Sequence, residues 1–189
     1  MVEKQIKRSR KQIDRNLEVT IMNNTHGGFY YTSPSGETVI ELEAQGDTDY
    51  LSYGELRKMR KYIDNFSLVI CGVDDSDVSI MDIARALHID GLYKAYFECV
   101  SDYTEEEMYE EESIDLTDFE EFVKTCDVDE LKELMKGKLR SQIIQTSVDL
   151  HRVGQLNDYQ KMTLIRETRP VDLREDFWND IDSSSSIGE

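Results

Sequence analysis

The sequence predicts an α+β protein: a small N-terminal antiparallel β unit with a capped helix, followed by a mainly helical part. Three observations predict it. Short runs with every second residue apolar crowd the segment from Leu17 to Glu43. A Ser-x-x-Glu capping signal follows at Ser52 and Glu55. From Asp129 onward the apolar residues recur at helical spacing.

The first strand is Leu17–Asn23, where Leu17, Val19 and Ile21 alternate with Glu18, Thr20 and Met22. Asn23, Asn24 and Gly27-Gly28 supply turn chemistry. A second strand spans Phe29–Ser33, and Pro34-Ser35-Gly36 fits a hairpin turn. The third strand is Glu37–Glu43, and the three read as a meander that needs a covering element. The Ser52 helix supplies that cover, with Leu51 and Leu56 placed for a hydrophobic staple. Leu56, Met59 and Ile63 share one helix face, and Arg57, Lys58, Arg60 and Lys61 complement the helix dipole.

Phe66–Val73 reads as a buried strand and Asp74–Ser79 as the loop that ends it. Ser79 caps a helix through Leu87, and Leu92–Val100 reads as a further helix. Ser101–Ile114 is acidic, with room for one or two helical turns, and Leu116–Thr125 is a short helix. Asp129–Val153 has the strongest helical pattern, with a kink or break expected at Gly137. Asn157–Thr168 is a helix stopped by Pro170, and a last turn or two covers Val171–Ile181. The expected division is a mobile basic arm over 1–16, an α+β domain over 17–100 and an acidic connector over 101–128. A helical part over 129–181 and a disordered tail over 182–189 complete it.

The 189 residues carry a net charge of −18, unevenly placed. Residues 1–15 hold six cations against Glu3 and Asp14, a local +4, whereas Ser101–Met135 holds fifteen carboxylates against two lysines, a local −13. The arm residues Lys4, Lys7, Arg8, Arg10 and Lys11 are therefore candidate partner contacts. Their charge allows a nucleic-acid backbone, an acidic protein surface or plain solvation, and the lack of aromatic residues argues against base reading. At the other end, Leu173, Phe177, Trp178 and Ile181 are candidate interface anchors, or else fold back into their own domain. No apolar run is long enough to span a bilayer, so no membrane partner is expected.

Chemistry is not indicated. Cys71, Cys99 and Cys126 form no CxxC pair, and His26, His88 and His151 match no metal-binding spacing. The acidic run from Asp74 fails as a calcium loop, because Ser79 stands where Gly is required and Arg85 where Glu is required. No phosphate-binding or nucleophile motif occurs. The chain reads as a non-enzyme without cofactor.

Two blocks carry a resemblance. The first is VTIMNNT…GGFYYTSPSG…IELEAQGDTDYLSYGELRKMR, and the second is QTSVDLHRVGQLNDYQKMTLIRETRPVDLREDFWNDI. Together, on under half the chain, they resemble uncharacterised structural (virion) proteins of tailed bacteriophages. There an Asn-bearing strand, a hairpin, a Gly-Asp step and a capped helix recur, with an Asp-Tyr-x-Lys step and a Leu…Trp-x-Asp-Ile ending. The resemblance implies a structural or accessory part of a phage particle, assembled in the host cytoplasm and bound to capsid, neck or tail proteins. It transfers no catalytic residue. The competing expectation is an acidic phage-encoded inhibitor or DNA mimic that occupies a host nucleic-acid-binding protein. It would use Asp102, Glu105, Glu106, Glu107, Glu110, Glu111, Glu112 and Asp115.

Overall fold

The computed structural model describes residues 10–101 and 103–185. Strand β1 (Glu18–Asn23) forms as the alternation predicts, with Val19, Ile21 and Asn23 inward. Strands β2 (Phe29–Thr32) and β3 (Val39–Leu42) form the expected hairpin, Phe29 opposite Leu42 and Thr32 opposite Val39. The meander does not form. The hairpin is a separate two-stranded sheet, and β1 instead lies between β4 (Thr48–Ser52) and β5 (Leu68–Val73), antiparallel to both.

The cause is local. The Asn23 side chain donates to the Gly27 and Ala44 carbonyls at 2.7 and 2.8 Å and accepts from the Thr25 N–H at 2.9 Å. This folds the chain away from β1 before β2 begins. Gly46, at φ +88°, sits in the turn that returns the chain, and its N–H donates to the Asn23 carbonyl at 2.8 Å. Strand β4 is thereby delivered beside β1.

Ser52 ends β4 and caps α1 (Tyr53–Leu56), with both halves of its capping box present. The Glu55 carboxylate also accepts from the Thr38 hydroxyl at 2.7 Å, tying the hairpin to the helix start. Those hydroxyls, Thr38 first and Ser52 next, lower the Glu55 pKa. A 3-10 turn over Arg57–Met59 leads into α2 (Arg60–Asp64). Leu56, Met59 and Ile63 are fully buried, the face that the spacing predicts. The hairpin packs through Phe29, whose ring meets Tyr62 of α2 edge-on at 5.1 Å.

Beyond β5, Ser79 caps α3 (Ile80–Ala86) through a second capping box closed by Asp82. The following helices are α4 (Asp90–Ser101), α5 (Glu105–Glu110), α6 (Leu116–Thr125) and α7 (Val128–Leu134). The last three are α8 (Arg140–Arg152), α9 (Tyr159–Arg166) and α10 (Phe177–Ser185), with a 3-10 turn at Val171–Leu173. The pattern from Asp129 does break near Gly137, giving α7 and α8. Helix α10 continues four residues past Ile181, to Ser185. Among the described residues, no helix is long and apolar enough to cross a membrane.

The chain divides into two compact units. One takes in Met1–Lys94 and Tyr103–Ile114, the other Ala95–Asp102 and Asp115–Glu189, so the division falls within α4. Unit 1 holds both sheets. Its core joins Val19, Ile21, Leu68 and Ile70 to the buried faces of α1 to α3. The Tyr93 hydroxyl reaches into it and accepts from the Ile70 N–H at 2.7 Å. Unit 2 is helical, with Tyr96 stacked on Phe119 at 5.4 Å.

Candidate anion-binding groove

A groove of about 1090 Å³ opens in unit 1 where three distant stretches meet: Arg10 to Asn16, the start of the first helical segment, and Ala86 to His88. Arg10, Lys11, Arg15, Arg57 and Arg60 line it, against the single carboxylate of Asp14.

Backbone bonds set these cations in place. The N–H groups of Tyr53 and Gly54 donate to the Leu17 and Arg15 carbonyls, both at 2.8 Å. The N-terminal segment thus satisfies donors that the first turn of a helix leaves open. A side chain at Gly54 would bring its Cβ to 3.1 Å from the Arg15 carbonyl oxygen, so glycine permits the approach. Ile13 is buried and anchors the same stretch.

Arg10 and Lys11 are committed to α3. The Arg10 guanidinium donates to the Arg85 and Ala86 carbonyls at 2.9 and 3.1 Å, and to His88 Nε2 at 2.7 Å. It sits at the C-terminal, electronegative end of that helix. Lys11 donates to the buried Asp82 carboxylate at 2.6 Å and to the Asp77 carbonyl. The remaining cations are different. Arg57 lies 5.9 Å from the Tyr53 ring, while Arg15, Arg57 and Arg60 are exposed and ion-paired to no described carboxylate. In a chain with 40 carboxylates and 22 cations, three arginines that line one groove with Asp14 as its single carboxylate can take an anion from outside.

Unit 1 has an acidic counterpart. A second groove, of about 1020 Å³, is lined by Asp74, Asp75, Asp77, Glu110, Glu111 and Glu112, with Lys11. Among the described residues, no set of three or more His, Cys, Asp or Glu side chains is arranged to hold a metal ion. Burial raises the Cys71 thiol to about 11 and the Cys99 thiol to about 12, and raises that of Cys126 as well.

Of the residues singled out in the sequence, Lys4, Lys7 and Arg8 lie outside the described residues. Arg10 and Lys11 line the groove while holding α3. At the other terminus, in unit 2, Leu173 is 60% exposed and Ile181 is buried. Trp178 donates to the Met162 carbonyl at 3.1 Å and lies 4.5 Å from His151, and Phe177 meets Trp178 edge-on at 4.8 Å. These aromatic contacts are to their own unit. Sequence reasoning missed the groove role of Arg15, Arg57 and Arg60. The available signal was the count: four cations within Arg57–Lys61 exceed what one short helix end can use.

The chain matches no protein-family model, no curated protein and no solved structure.

Proposed function

We propose that this chain is a structural or accessory component of a tailed-phage particle that works by protein–protein contact, with the basic groove receiving an acidic surface of a neighbour. The carrying observation is the set of three arginines in that groove that are ion-paired to no described carboxylate, on a chain of net charge −18. A local cationic site on an acidic molecule selects partners by charge pattern, since like-charged approaches elsewhere on the surface cost energy. The resemblance of the two sequence blocks supplies the setting: the virion, assembled in the host cytoplasm, with capsid, neck or tail proteins as neighbours.

The test is capture of partners from infected cells by the tagged full-length chain, beside an Arg57→Glu/Arg60→Glu variant. Capsid, portal, neck or tail proteins recovered by the parent chain and lost by the variant support the reading.

One observation favours a second reading, the acidic inhibitor or DNA mimic. The acidic stretch is not loose: Thr104 caps α5 through a full capping box, and Met108 is buried within unit 1. Glu105, Glu106 and Glu110 are thus exposed on an anchored helix. A host nucleic-acid-binding protein captured equally by parent and variant selects this reading instead.

A further inference from the structure

We propose that the groove's acidic occupant is helix α5 of a second copy of this chain, so that copies join head to tail. The proposal rests on the reading of the groove as a protein-contact site and names the neighbour.

Both halves of the contact are present in unit 1, and among the described residues no ion pair joins either half to another part of the unit, although the Glu105 charge acts on Arg85. Arg15, Arg57 and Arg60 line the groove, where Asp14 is the single carboxylate, and none of the three is ion-paired to a described residue. Glu105, Glu106 and Glu110 stand exposed on α5, and none is ion-paired to a described cation. Helix α5 contributes no residue to the groove lining, so the chain does not fill its own site. The two surfaces are different patches of one unit. A contact between them is heterologous, and it generates a ring where the rotation closes and a filament where it does not.

Length and charge favour this occupant over nucleic acid. A six-residue helix extends about 9 Å at 1.5 Å per residue, so its carboxylates are confined to the groove. A duplex carries about one charge per 1.7 Å along its whole length, so most of its phosphates would lie beyond the groove with no lining cation to meet them. The helix is also preorganised. The Glu107 carboxylate closes the capping box, the Tyr103 hydroxyl donates to Glu111 at 2.7 Å, and Met108 anchors the inner face. Little chain entropy is left to lose on docking.

Sedimentation velocity of the full chain tests this, with two charge-reversed variants: Arg57→Glu/Arg60→Glu in the groove and Glu105→Arg/Glu106→Arg on α5. At about 0.1 M salt the parent chain is expected to grow in mass with concentration. At about 1 M, where the screening length falls from about 10 to about 3 Å, it is expected to revert to monomer. Each variant alone should associate about a hundredfold more weakly. An equimolar mixture of the two should regain association, since each contact in the mixture again joins opposite charges. That recovery also shows that both variants are folded. A parent chain that stays monomeric overturns the proposal, as does a mixture that fails to associate. A monomer that binds a labelled duplex, with the groove variant losing it, overturns it in favour of nucleic acid. A monomeric parent whose groove variant still loses captured phage proteins removes only the self-contact and leaves the protein-contact reading intact.

Discussion

Unit 1 and unit 2 use charge in opposite ways. In unit 1, cations and carboxylates gather on separate grooves, and Arg15, Arg57 and Arg60 remain available at the surface. In unit 2, the most telling cation is inside. Lys161 is 2% exposed, and its ammonium donates to the Val123 and Lys124 carbonyls, both at 2.8 Å. Those are among the last carbonyls of α6, which have no partner within the helix. One unit leaves cations at its surface; the other uses one to close a helix end within its own core.

The sharpest way to break this comparison is Lys161→Met. The change keeps most of the volume but strips two carbonyls of their donor and removes a positive charge from a helix C-terminus. A loss of about 3 kcal/mol in unit 2 is expected, read from urea unfolding. A loss under a tenth of that would mean that the amine does not hold α6. The matching change in unit 1 is Tyr93→Phe. It removes the acceptor of the Ile70 N–H in the buried sheet, and about 2 kcal/mol should be lost. Unchanged unfolding would mean that the amide finds another partner.

A smaller effect is expected where the groove meets the fold. Asp82 closes the Ser79 capping box and holds Lys11, so Asp82→Ala should cost about 1 kcal/mol. Lys11 is about half exposed, and its ion pair adds little to that figure. Amide exchange at residues 11–16 should rise in the same variant; protection equal to the parent's would show that the backbone bonds to α1 alone pin the segment.

The pH response separates the units further. The folded pKa of Glu55 lies below its ordinary value of 4.5, chiefly through the Thr38 hydroxyl and then Ser52. Stability from an ionised Glu55 is therefore complete above pH 4.5 and is lost as pH falls through the depressed value. Glu55→Gln should flatten the acid side of the stability curve of unit 1 and leave that of unit 2 unchanged, as followed by probes placed in each unit. An equal change in both would remove the assignment.

Local chemistry was legible in the sequence, and long-range meeting was not. The box at Ser52 and Glu55, the cap at Ser79 and the break at Gly137 depend on residues within a turn or two of each other. Strand β4 was invisible for a physical reason: in Thr48–Ser52 only Leu51 is buried, and its pairing with β1 is fixed by the Asn23 and Gly46 bonds far along the chain. The same holds for the groove. Arg57 and Arg60 read as dipole partners of their own helix, and nothing within it announces the approach of Arg10, Arg15 or His88.

Ser147→Ala carries the smallest effect and reverses the usual sign. Ser147 lies fully buried on α8, and its hydroxyl has no hydrogen-bond partner among the described residues. Burying an unmet hydroxyl costs free energy, and Ser is a poorer helix former than Ala. Removing it should raise the stability of unit 2 by about 1 kcal/mol. Of the neighbouring buried polar side chains, the Gln142 amide donates to the Thr146 hydroxyl at 3.3 Å rather than to Ser147. A stabilised variant confirms that Lys161 is a polar group unit 2 depends on, whereas Ser147 is one it merely tolerates. A destabilised variant would mean that the hydroxyl has a partner, such as a buried water. The interior of unit 2 would then be a connected polar network, and the contrast with unit 1 would lie in where polar groups are satisfied rather than in how many are needed.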